Sequence, residues 1–86
     1  MPILNYVSQN STTVNVSYAD MPVGADVVFV DKTSGKTTAP VNDNAIAAGG
    51  NGQAAIEIPG LTNGDYCLLA QKAGTFLAQT VTFALA

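Results

Sequence analysis

Histidine, arginine and tryptophan are absent from this 86-residue chain, and cysteine occurs once. Without histidine the commonest proton carrier near neutral pH and the commonest zinc ligand are missing. No Ser-His or Cys-His nucleophile can be built either. A lone thiol, Cys67, cannot close an intrachain disulfide, so the fold must hold without a staple. That suits a reducing compartment better than a small secreted domain. Charge is scarce as well: 10 % of residues are charged, against roughly 25 % in an average soluble protein. Lys32, Lys36 and Lys72 face six acids, for a net charge of −3. Three scattered cations cannot supply the phosphate contacts that nucleic-acid binding needs.

Long apolar runs are missing too. The longest weakly polar stretch, Phe76 to Ala86, is interrupted by Gln79, Thr80 and Thr82 and is far short of a membrane span. Met1-Pro2-Ile3-Leu4-Asn5 carries neither the basic start nor the apolar run of a secretion signal. Pro2 stands where myristoylation requires glycine. No membrane partner is therefore expected, and Asn10-Ser11-Thr12 and Asn15-Val16-Ser17 read as chance matches to the glycosylation pattern. The length fits one small domain, expected over residues 1–86.

What is present has a period of two. Thr12, Val14, Val16 and Tyr18 share one face, with Thr13, Asn15 and Ser17 on the other, as in a half-buried strand. Ile3 to Val7 reads as a shorter strand before it. Met21-Pro22-Val23-Gly24 is a turn. Asp26 to Lys32 is apolar on both faces, as befits a central or covered strand. Ser34-Gly35 closes a hairpin into Lys36-Thr37-Thr38. Residues 39 to 52 are small, polar and glycine-rich, a surface loop with room for one short turn. Gln53 to Ile58 alternates again, with Ala54, Ile56 and Ile58 inward. Asp65 to Lys72 and Thr75 to Leu85 form a last hairpin around Ala73-Gly74. About seven short strands and no helical stripe predict an all-β, antiparallel β-sandwich.

Leu61-Thr62-Asn63-Gly64-Asp65-Tyr66 has the form Leu-x-x-Gly-x-Tyr, followed by alternating apolar positions. This resembles the tyrosine corner of immunoglobulin-like and fibronectin type III-like sandwiches, in which a tyrosine hydroxyl turns back to backbone a few residues upstream. The resemblance implies a structural corner made by Leu61, Gly64 and Tyr66. The chain is similar in plan to stand-alone bacterial and phage Ig-like domains. The matching pieces are Pro22 to Asp26 leading into Val-Val-Phe-Val, the Ser-Gly hairpin, the Gly-Asn-Gly strand entry and this corner. In disulfide-bearing members the second cysteine lies two residues after the tyrosine. Here that position is Leu68, and Cys67 faces the other way.

Two glycine motifs fail their own context. Gly50-Asn51-Gly52-Gln53-Ala54-Ala55 fits Gly-x-Gly-x-x-Ala, yet a strand follows where a dinucleotide site needs a helix. Gly49-Gly50-Asn51-Gly52-Gln53 has glutamine where a calcium β-roll repeat wants aspartate. The candidate outward loop Asn42, Asp43, Asn44 and Asn51 offers oxygens but a single carboxylate, too few for calcium by itself. No cofactor or metal is expected; an 86-residue sandwich has little room for a two-carboxylate cleft, and the six acids mostly sit at strand ends or outward positions. The protein is expected not to be an enzyme.

The remaining signal is the bland surface. Sandwiches guard their edges with lysine, proline or bulges, yet the last strand has no charge at all. Phe76, Leu77, Val81, Phe83 and Leu85 are therefore a candidate assembly interface, either buried in their own domain or docked on another subunit. The expectation is a structural subunit with protein partners, by self-association or on a capsid-like shell. It would decorate or cement a phage capsid or similar particle at the virion surface, or one assembled in the cytoplasm. The alternative is a carbohydrate or cell-surface binding module using Tyr6, Tyr18 or Phe76 as a stacking platform. An aromatic exposed on a flat sheet face would favour that alternative.

Overall fold

In a computed structural model, which describes residues 1–38, 40–41 and 44–85, the chain forms seven strands in two antiparallel sheets, a small β-sandwich. The first sheet has the order β1 (Ile3–Gln9), β2 (Thr13–Met21), β4 (Gly50–Glu57). The second places β5 (Gly64–Lys72) between β3 (Asp26–Asp31) and, on its other side, β6 (Thr75–Gln79) and β7 (Phe83–Leu85). Between the sheets lie Val14, Val16, Val27, Phe29, Ile56 and Leu68, each essentially inaccessible to water. Cys67 is free and buried, and there is no disulfide.

The inward alternation of β2 follows the sequence reading: Val14, Val16 and Tyr18 are buried in turn. Ile56 is buried, with Ala54 and Ile58 half-buried against the core. Three readings are corrected. Residues 36–38 do not make a strand. They touch β3 through one bridge, Val30 to Thr37, while Val41 bridges to Val27. The loop over 39–52 holds a four-residue helix, α1 (Asn44–Ala47), whose Ile46 is fully buried, and β4 already begins at Gly50. Thr75–Leu85 is two strands rather than one.

The same device ends both outer segments of the second sheet. A regular antiparallel pair exchanges two backbone hydrogen bonds. At Thr80 the amide donates to the Leu68 carbonyl (2.9 Å), but the Leu68 N–H goes to the Thr80 hydroxyl (3.1 Å). The hydroxyl in turn donates to the Val81 carbonyl, 2.9 Å away. The Thr80 carbonyl is thus released and the chain leaves the ladder. On the opposite edge, the Thr38 amide donates to Phe29 (3.0 Å) while its hydroxyl accepts the Phe29 N–H (3.1 Å). Phe29 and Leu68 are themselves registered partners. Two threonines therefore cap one pair of central residues from both sides.

Candidate functional site

The register of the first sheet sets which side chains share its outer face. Ile3 pairs with Ala19, Asn5 with Ser17 and Ser8 with Asn15. Asn15 then pairs with Ala55, Ser17 with Gln53 and Thr13 with Glu57. This three-stranded face is a field of amides, hydroxyls and methyls. Its ionisable groups stand at its ends: Glu57 at one, and at the other the exposed Asp20 with the Met1 amino group 3.5 Å away. Ile3 and Val7 stand on it 46 % and 54 % exposed, Val7 being pushed out at a bulge between Tyr6 and Ser8. A shallow hollow of about 250 Å³ is lined by Val7, Asn15, Gln53 and Ala55 among others. The Asn15 side-chain amide donates to the Ser8 hydroxyl at 3.0 Å, which ties two of the strands laterally.

The candidate interface on the last strands does not form one surface. Phe83 and Leu85 are core residues, Leu77 is half-buried, and Phe76 and Val81 are exposed. The break at Thr80 is the cause. Ala78 and Thr80 point inward, and the extra residues before β7 then bring Phe83 and Leu85 inward as well. The Phe83 ring stacks on Tyr6, with centroids 4.8 Å apart. Gln9 donates to the Ala84 carbonyl at 2.6 Å and to the Tyr6 hydroxyl at 3.1 Å. These contacts close the β1 edge against the β6–β7 edge.

Tyr66 is buried, and its hydroxyl donates to the Thr62 carbonyl at 2.8 Å. Leu61 packs half-buried against the core, and Gly64, at φ 154°, carries the bend between them. Of the loop candidates, Asn51 accepts the Asp20 amide on its Oδ1 at 2.9 Å. Asn42 and Asp43 lie outside the described residues, as does the side chain of Asn44. Among the described residues no three His, Cys, Asp or Glu side chains gather as a metal would require. Among the same residues no helix is long and apolar enough to cross a membrane.

Of the three possible stacking platforms, Tyr18 is buried with its hydroxyl on the Ala45 carbonyl (2.9 Å), and Tyr6 is covered by Phe83. Phe76 is 57 % exposed. It borders a groove of about 370 Å³ on the second sheet, floored by Val28 and Leu69 and edged by Thr37, Thr38, Pro40 and Gln71. Cys67 faces the same outer side as Leu69, but burial pushes its thiol above its ordinary value, with the Lys32 charge pulling the other way. A protonated, buried thiol is a poor nucleophile.

Ile3, Asn5, Val7, Ser17 and Gln53 were not singled out by sequence reasoning as a joint surface. The outward parity of Thr13, Asn15 and Ser17 was the available signal, but the neighbours across the sheet follow only from register. No family model, curated protein or solved structure matches the chain.

Proposed function

We infer that this chain is a non-enzymatic structural subunit of Ig-like fold that docks onto, and decorates or cements, a larger protein assembly, of which a virion shell is the expected kind. The supporting observation is the outer face of β1, β2 and β4, three strands wide, with its ionisable groups confined to its ends and two half-exposed aliphatic side chains between them. Monomers normally interrupt such a face with charge, and an interface core is depleted in charge. The Tyr66–Thr62 hydrogen bond supports the Ig-like reading, because a tyrosine corner turns its hydroxyl back to upstream backbone in this way.

The test is the native mass by light scattering at low and high salt, for the wild type and for the double variant Val7→Lys, Asn5→Lys. Both positions are exposed on this face. The expected result is a discrete oligomer or concentration-dependent polymer that salt does not dissolve and the two lysines do. A second reading, a carbohydrate-binding module, draws support from Phe76 over its groove beside Gln71 and Thr37. A wild type that stays monomeric at every concentration, and loses glycan binding on Phe76→Ala, overturns the assembly reading in favour of this one.

A further inference from the structure

Among the described residues the sandwich has four edges: β1, β3, β4 and the pair β6–β7. β1 is held beside β6–β7 through Gln9, Ala84 and the Tyr6–Phe83 stack. The outer side of β3 is bridged by Thr37 and Val41. β4 pairs with β2 on one side, and no described residue pairs with its other side, where Pro40 and Val41 share a hollow with its last residue, Glu57.

Which groups β4 offers follows from the ladder. The Ile58 amide donates to the Thr12 carbonyl at 2.9 Å. With Thr13 opposite Glu57 and Val14 opposite Ile56, the even-numbered residues Ile58, Ile56, Ala54 and Gly52 turn their backbone groups to β2. Gln53, Ala55 and Glu57 turn theirs away. From Gly52 to Glu57 the strand has no lysine, proline or bulge, the devices that blunt an edge. Gly52, Ala54 and Ala55 keep its middle small, and its one charge, Glu57, sits at its end.

Resting on the assembly reading above, we propose that β4 is the pairing edge for a second copy of this chain, strand against strand, antiparallel about a two-fold axis at Ala54. Outward-facing groups must meet outward-facing groups, so odd residues pair with odd. Centring on Ala54 sets Gln53 opposite the second copy's Ala55, and Asn51 opposite its Glu57. Each carboxylate then meets an amide whose Oδ1 is already occupied by the Asp20 N–H, which leaves the amide N–H groups to donate. It does not meet its own twin. The self-complementarity is that of an isologous interface, and main-chain bonds supply the pairing as in other strand additions. The product is a continuous six-stranded sheet that doubles the uncharged face.

The experiment compares native mass by light scattering for the wild type, Ala55→Pro, and the double variant Gln53→Lys, Ala55→Lys. Proline at 55 removes an outward N–H and none that β2 uses. The paired lysines keep every backbone group but bring four cations together across the axis, so the test survives if the proline variant fails to fold. Expected is a dimer, alone or as the repeat of a larger assembly, lost in whichever of these variants retains the wild-type circular dichroism. Ala54→Cys should also oxidise to a covalent dimer, because Ala54 then faces its own copy in a non-hydrogen-bonded pair, whose Cβ atoms approach to about 4.5 Å, within reach of a disulfide. A folded variant with unchanged mass overturns the β4 pairing. If Val7→Lys, Asn5→Lys alone reduces that mass, the assembly reading stands without it. A wild type monomeric at all concentrations overturns the β4 pairing and leaves the assembly reading to a foreign shell, so the two failures are distinguishable.

Discussion

Tyr66 shows how one polar atom fixes a bend in a chain with few polar anchors. Its ring is buried while its hydroxyl reaches the Thr62 carbonyl at 2.8 Å, so the corner before β5 is pinned four residues upstream. Tyr66→Phe keeps the packing and removes only the donor, and Thr62 is exposed enough for water to take over its carbonyl. The expected loss is about 1 kcal/mol, read as a fall in melting temperature of about 4–8 °C for a domain of this size. An unchanged melt would show that the bond does not hold the corner. Cys67 acts with pH. Burial raises its thiol pKa in the folded chain, so above the unfolded value of about 8.5 the unfolded chain sheds a proton that the folded chain keeps. Stability from this group is therefore full below that value and falls as pH rises beyond it. Between pH 7.5 and 9.5 the wild type should lose more stability than Cys67→Ala in urea unfolding. Parallel pH curves would show that the thiol does not contribute.

Among the elements, Thr80 decides where the chain leaves β5, and Thr38 where the bridged segment leaves β3, each by lending a hydroxyl where a carbonyl would continue the ladder. Thr80→Val removes the acceptor of the buried Leu68 N–H, and the expected cost is about 1–3 kcal/mol for an orphaned donor. Thr80→Ser keeps the acceptor and should retain most of that stability. Equal losses for valine and serine would assign the effect to packing instead. This device also explains what the sequence conceals. The parity of β2 is legible because Val14, Val16 and Tyr18 meet a continuous core, and the whole of that alternation appears as burial. The end of β6 is not legible, since threonine is an ordinary strand residue until it meets Leu68. Ile46 is equally hidden: a four-residue helix has no periodicity to read, and its burial depends on the space beside Tyr18, whose hydroxyl holds Ala45. Gly52 belongs to the same corner, because a Cβ there would stand 2.8 Å from that hydroxyl.

For the whole molecule the decisive quantity is how little charge its surface carries, and the consequence is thermodynamic. A net charge of −3 gives weak self-repulsion, and the outer face of the first sheet offers little to screen. Association through it should therefore be almost independent of salt, whereas contacts held by exposed ion pairs weaken beyond a Debye length of about 10 Å at 0.1 M. Among the described residues the one ion pair joins the chain's amino group to Asp20 at 3.5 Å, both exposed, so the fold itself has little to lose in salt either. A domain this small buries only about 60–65 % of its unfolded surface, so the proposed copy-to-copy contact would add a substantial fraction of its stability. Folding and association are then linked. For a dimer, each tenfold rise in protein concentration stabilises the folded chain by about 0.7 kcal/mol per copy, or about 3–5 °C in melting temperature. The wild type should show that dependence equally at low and high salt, and a folded variant that has lost association should show none. A melting temperature that is flat with concentration for the wild type would mean the uncharged face is not used between copies of this chain, leaving a foreign shell as its partner.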